Sequence, residues 1–381
     1  MDPSSTRTIT ADDAGNAVLH VVTRRRYALP AFDGAIYDGQ PEALRGEAGP
    51  RPGDGDGDLL AVARPGTDVH VRARAYSLDG PVRALDVAVI AHRRGSAAPS
   101  LERRLRVIGD RCARRARDGA LAFGETTPFT EMDLAWERAF GGADAAAADV
   151  HRPEPYETPE SIAARFAYAR NPVGCGYVVD AASLGHGTLR LPNIEDPEDL
   201  VTAERLALGD ATRWPLAPIA AGFLPVPGHW WPRSAWLGFG APTDESPARF
   251  VEVQRGWIPV GHVAPASLDD IAARRDDRWF HTAAPGMCAA TMHGDERFVL
   301  EGLHPHRRRL AFALPGEVPV VSARFGDAVL RLAPALRTVD VDVEAGIVDL
   351  VWCARAALGT VTRRSPFSTL THEVLWPRAD R

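Results

Sequence analysis

Residues 68–76 read DVHVRARAY, and the alternation within them decides the fold class. Val69, Val71, Ala73 and Ala75 take every second position, with His70, Arg72, Arg74 and Tyr76 between them. A strand points successive side chains to opposite faces, so this spacing predicts a β-strand with one apolar and one polar face. The same period continues over residues 82–92, where Leu85, Val87, Val89 and Ala91 share a face, and returns at Leu101, Arg103, Leu105 and Val107. Asp118-Gly119, set between runs at 112–117 and 120–123, is the dipeptide of a tight hairpin.

Toward the N-terminus, residues 17–27 (AVLHVVTRRRY) predict a first strand after a polar lead. Toward the C-terminus, alternation resumes at 310–314, 318–325, 328–332, 338–343 and 347–354, with Gly326-Asp327 and Glu344-Ala345-Gly346 as turns; an antiparallel meander is expected. From Leu358 onward the chain reads as a loosely attached tail that carries Trp376. Between the strand-rich ends, residues 126–300 hold 17 of the 31 prolines and seven of the nine tryptophans. Proline cannot donate to a sheet ladder, so long regular strands are excluded there. Three helices are expected: one capped by Thr158, with Pro159 at its first position, running to about Arg170; one over 197–208; and one over 268–275 capped by Ser267. The expected fold is thus mainly β, with antiparallel, sandwich-like sheets at both ends and a Pro/Gly/Trp-rich, partly helical middle. Its parts are 1–125, 126–300, 301–357 and a tail 358–381, with 9–357 forming one composite domain.

Composition removes several classes of function. The 381 residues are 45% hydrophobic and 25% charged with a net charge of -6, a globular balance that argues against a coat for nucleic acid. All 44 basic side chains are arginine. Without lysine there is no P-loop lysine, no kinase lysine and no Schiff base. Cys112, Cys175, Cys288 and Cys353 form no C-x-x-C pair, so neither a zinc ribbon nor a disulfide framework is expected. The polar N-terminus lacks a signal-peptide pattern, and the longest apolar run, 216–227, is broken by prolines and falls short of the roughly 18 residues that span a bilayer. A cytoplasmic chain without a membrane partner is expected.

Candidate chemistry is sparse. The GDGDGD run at 53–58 has alternating aspartates, but an EF-hand requires Gly at 59 and an acid at 65, where Leu59 and Pro65 stand. His304-Pro305-His306 precedes Arg307-Arg308-Arg309, whose charge opposes a bound cation. Gly174-Cys175-Gly176 lacks the third glycine of a dinucleotide fingerprint, since position 179 is Val. No serine occupies a G-x-S-x-G elbow. Arginine clusters at 24–26, 103–106, 111–117 and 307–309 are expected on solvated sheet faces, with a protein partner as the second reading. Trp136, Trp230, Trp231, Trp236, Trp257 and Trp279 either pin loops onto the sheets or centre a binding surface.

Eight phrases, taken in order, carry a family resemblance. They are LRVIGDR (105–111), PFTEMDLAWERAFGG (128–142), RNPVGCGY (170–177), LPNIEDP (191–197), GFLPVPGHWWPR (222–233), FHTAAPGM (280–287), LEGLHPHRRRLAFALPG (300–316) and VDLVWCAR (348–355). Together they resemble the type VI secretion-associated proteins catalogued as domain of unknown function 2169. The resemblance implies an adaptor or chaperone that holds a secreted effector, or its PAAR-type tip domain, and assists its loading onto the spike. It implies no enzymatic activity and no cofactor. The chain departs from the family around residues 40–62, where GEAGPRPGDGDGD replaces a Tyr-rich segment, and after Leu358.

Two readings follow. In the first, a non-catalytic scaffold presents Trp136, Arg138, Trp230, Trp231 and Arg233 to a partner protein, while Asn171, Asn193, Glu195 and Asp196 brace the loops through backbone hydrogen bonds. The second assembles a hydrolase-like site from His229, His281, Glu137, Asp196 and Cys175, which all lie in the phrase-bearing loops.

Overall fold

The longest pairing in the molecule joins its two ends. Strand Asn16–Ala28 runs antiparallel to Ile347–Thr360 along its whole length, with Val21 opposite Ala354 and Tyr27 opposite Val348. A computed structural model describes residues 5–11, 16–30, 42–47, 64–155, 157–231, 233, 281–325, 327–360 and 370–377. The expected GDGDGD loop, the helix at 268–275, and Trp236, Trp257 and Trp279 lie outside the described residues.

Around this pair a seven-stranded sheet forms. Ser5–Ala11 and the short Arg45–Glu47 pair with Asn16–Ala28 on the near edge, Pro334–Asp342 follows Ile347–Thr360, then Thr67–Arg72, and Cys288–Ala289 closes the far edge. Most neighbours are antiparallel, but Pro334–Asp342 and Thr67–Arg72 run parallel. A six-stranded sheet takes the order Ile194–Glu195, Pro99–Ile108, Ala84–His92, Arg297–His304, Arg307–Ala313 and Glu42–Ala43. Val69, Val71, Val339, Leu350 and Trp352 of the first sheet share one apolar cluster with Val87, Val89, Leu105, Phe298 and Leu300 of the second. The two sheets therefore pack as a sandwich, and the alternation of Val69 and Val71 marks the inner face.

The long strands serve two cores on one face. Tyr27, Val348, Leu350 and Trp352 meet the six-stranded sheet, whereas Leu19, Val21 and Ala354 meet Val321, Ala323, Leu332 and Leu370. The second group belongs to a small sheet ordered Ala328–Leu332, Val320–Phe325 and Thr371–Leu375. The segment expected to be a loose tail is thus in part a paired strand, and Trp376 packs over the Arg25 guanidinium at 5.0 Å. The C-terminal strands occur as expected but are divided among three sheets, so they do not form one meander.

Local signals fare unevenly. Thr158 caps Pro159–Arg165, with Ser161 completing a reciprocal capping box, but the helix stops at Phe166. Of the helix expected over 197–208 only Ala203–Leu206 is helical, because Asp196 holds a turn before it, its side chain accepting the Glu198 N–H and its carbonyl the Asp199 N–H. Asp118-Gly119 does close a hairpin between Cys112–Arg115 and Leu121–Phe123. Arg26 departs from its expected solvated face: it is buried and forks onto Asp349 at 2.7 and 2.6 Å. Among the described residues no helix is long and apolar enough to cross a membrane.

Candidate functional site

The phrases at 128–142, 170–177 and 191–197 fold against one another. Phe140–Gly141 pairs in parallel with Cys175–Gly176, and the Gly142 N–H donates to the Asn171 carbonyl at 2.8 Å. The approach requires glycine. A Cβ on Gly174 would lie 2.5 Å from Asn171 Nδ2 and 2.6 Å from the Ala139 carbonyl oxygen. Asn171 is fully buried, and its Nδ2 donates to the carbonyls of Trp136 at 2.8 Å and Phe140 at 3.0 Å. Asn193, also buried, donates to the Ile108 carbonyl at 2.9 Å and to Asp110 at 3.0 Å, and accepts from Arg138 at 3.0 Å.

Two buried carboxylates complete this layer. Glu195 takes the Arg111 guanidinium on one oxygen and the Val201 N–H, at 2.8 Å, on the other. Burial pushes its pKa up, against the pull of Arg111. Asp196 pairs with Arg103 at 3.1 Å and accepts the Glu198 N–H at 2.9 Å. Asn171, Asn193, Glu195 and Asp196 thus all hold loop backbone in place.

The tryptophans lie inside the same layer. Trp136, Trp230 and Trp231 are 8, 4 and 7% exposed. Trp136 donates from Nε1 to the Pro225 carbonyl at 3.0 Å and meets Trp230 edge-on at 5.7 Å, while Trp231 meets Trp214 at 6.3 Å. Indoles buried in the core are not presented to a partner, so the expectation of a tryptophan-centred surface at these three positions is corrected: they pin 222–231 onto the body. Arg138 and Arg233 are partly exposed, the first on Asp110 and Asn193, the second donating to the Val226 carbonyl.

A second cluster lies on the reverse face of Thr67–Arg72. The alternation predicted a polar face, and the structure buries it, with Asp68 at 0% and His70 at 6% exposure. Asp68 Oδ1 lies 2.5 Å from His281 Nδ1. Its Oδ2 accepts from the Thr282 N–H at 2.7 Å, from Thr282 Oγ1 at 2.9 Å and from Arg64, which also reaches Thr338 Oγ1 at 2.8 Å. His70 Nε2 is 2.9 Å from Thr282 Oγ1. Cys288 pairs in register with Asp68 and places its sulfur 3.4 Å from each ring nitrogen of His281.

Aspartate, histidine and cysteine are the donor set of a thiol triad, and their ligand atoms, all within 4.8 Å of one another, are also those of a metal site. The details oppose both uses. A ring nitrogen's lone pair points outward in the ring plane, so a sulfur equidistant from both nitrogens lies on neither axis. Burial, followed by the neighbouring Asp68 charge, pushes the Cys288 thiol up to about 12. Burial alone would raise Asp68, but Arg64 and His281 outweigh it and hold the carboxyl well below the usual range. The guanidinium already seated on Asp68 repels a cation at that oxygen.

The model of the family described as an uncharacterized protein conserved in bacteria, domain of unknown function 2169 (DUF2169), matches residues 14–353. The chain is a DUF2169 protein. No curated protein and no solved structure matches it. In this DUF2169 chain the five residues of the hydrolase reading have separate neighbours. Asp196 is on Arg103, the Cys175 sulfur is 4.0 Å from the Ala139 carbonyl, Glu137 is exposed and His229 lies beside Trp230. His281 alone among them joins a cluster, with Asp68 and Cys288. Sequence inspection missed Asp68 because it is read there as one polar position of a strand; only the sheet register brings it opposite Cys288.

Proposed function

We propose that this DUF2169 chain is a non-catalytic adaptor or chaperone that holds a type VI secretion effector, or its PAAR-type tip domain, for loading onto the spike. The observation that carries the non-catalytic part is the state of Asp68, His281 and Cys288. These groups converge, yet the thiol is protonated at neutral pH, the sulfur lies off both lone-pair axes and the carboxylate is bound by Arg64. Asn171, Asn193, Glu195 and Asp196 of the phrases bond backbone, as a rigid scaffold for binding requires. The secretion role itself rests on the resemblance of the eight phrases.

Co-expression with the proteins encoded beside its gene tests the proposal. A soluble complex with an effector or tip protein, stable through size exclusion, is the expected result; failure to bind any of them removes the adaptor reading. A second reading is favoured by one observation: Asp68, His281 and Cys288 are the residue types of a cysteine hydrolase. Iodoacetamide separates the two. The exposed Cys112 should react faster than Cys288 in the folded protein, whereas preferential alkylation of Cys288 at pH 7 favours the enzyme.

A further inference from the structure

The hairpin at 112–123 continues across Thr188–Arg190 into a three-stranded sheet in which Arg114 faces Thr188 and Cys112 faces Arg190. Arg114 and Arg190 are therefore diagonal neighbours on one face, with Cβ atoms roughly 7 Å apart. Cys112 lies between them, Ala122 and Gly124 line the far side of Arg114 and Cys112, and an open cavity of about 700 Å³ stands over this face. Arg111 forms part of the wall, held on Glu195 and stacked over Phe123 at 5.5 Å.

The two outer guanidiniums are uncompensated. Both are exposed, and among the described residues no carboxylate pairs with either; Arg190 reaches only the Asn193 amide oxygen, at 3.4 Å. By contrast, Arg103 has Asp196, Arg106 has Asp86 and Arg111 has Glu195. Asp110 at the cavity carries Arg138 and Asn193 on its Oδ1, at 3.3 and 3.0 Å. Two exposed guanidiniums on one sheet face suit planar carboxylates, which guanidinium binds through paired N–H donors.

We propose that this cavity is a docking site for an acidic segment of a partner polypeptide, whose aspartate or glutamate side chains pair with Arg114 and Arg190. The class of occupant rests on the adaptor reading. Charge selects a polypeptide over a nucleic acid: Glu125 lines the same cavity and the whole chain carries -6. A continuous polyanion meets repulsion from both, whereas a peptide can place a neutral or donor group beside Glu125.

The test uses a fluorescein-labelled peptide whose two glutamates are spaced by glycine and serine, and a labelled single-stranded oligonucleotide of mixed sequence, read by anisotropy at two salt concentrations. The proteins are the full chain and its R114E/R190E variant; both side chains are exposed, and an unchanged circular dichroism melt confirms folding. The peptide should bind the native chain, weaken with salt and lose about tenfold or more in affinity in the variant, as two lost charge pairs imply. No peptide binding, or equal binding by the variant, overturns the proposal. Tighter arginine-dependent binding of the oligonucleotide also overturns it and assigns the cavity to nucleic acid. Complex formation with the locus-encoded proteins is measured in parallel: if the native chain binds none of them, the adaptor reading falls, and if both proteins bind them equally, this site alone falls.

Discussion

Asp68 is the side chain with most at stake. Its carboxylate is fully buried and carries Arg64, His281 and both donors of Thr282. Asp68→Asn leaves the buried Arg64 without its counter-charge, so unfolding in urea should show a loss of about 3 to 5 kcal/mol, as for other broken buried pairs. The same cluster sets a pH window. Because the Asp68 pKa is depressed on folding, its contribution is complete above the unfolded carboxyl value of about 4 and declines as pH falls below it. Because the Cys288 pKa is raised, its contribution is complete below the unfolded thiol value of about 8.5 and is lost as pH rises toward about 12. From these two groups the urea midpoint is expected to fall below about pH 4 and again above about pH 8.5. Cys288→Ser, whose hydroxyl does not titrate there, should reduce the alkaline fall to the share carried by Cys175 and Cys353, whose thiols burial also raises; an unchanged fall would mean that Cys288 contributes none of it.

At the scale of elements, the phrases that carry the family resemblance are largely a means of laying backbone against backbone. Gly174 illustrates it, since the space its missing side chain leaves is filled by Asn171 Nδ2 and the Ala139 carbonyl. Gly174→Ala should cost about 1 to 3 kcal/mol, the usual range for overpacking. Gly80→Ala is the comparison: a Cβ there meets nothing within 4 Å, so only its positive φ of 105° is penalised, a cost of about 1 kcal/mol. Equal midpoint shifts for the two variants would mean that the close approach at Gly174 contributes no packing constraint. The short helices show how far local signals reach. Thr158 and Pro159 announce a helix start that the structure keeps, because a cap acts within one turn. Its end, near Phe166 and well before Arg170, is imposed by the Gly142–Tyr168 and Asn171–Gly142 backbone bonds to a distant segment.

At the scale of the whole molecule, the pairing of Asn16–Ala28 with Ile347–Thr360 makes the two ends one structure. The division at residue 125 separates stretches of sequence, while Val87 and Leu105 before it share a core with Phe298 and Leu350 after it. Far-UV circular dichroism and tryptophan fluorescence should therefore report one coincident urea transition, and a chain ending at residue 346 should fail to fold. Separate transitions by the two probes would show that the sheets unfold independently.

The alternation of Val69 and Val71, the Asp118-Gly119 turn and the Thr158 cap were legible in the residues themselves, because strand period, turn geometry and capping depend on neighbours a few positions away. The sequence also determined the absence of lysine, and with it the chemistry that lysine supports. Only the tertiary structure decided that the polar face of Thr67–Arg72 is buried, that Trp136, Trp230 and Trp231 are core side chains, and that Asp68 meets His281 and Cys288. Those outcomes depend on which strand lies beside which, across more than 200 residues of chain, and on what covers each face. No local pattern encodes a register between segments so far apart, since an apolar or polar position reads the same whatever eventually packs against it.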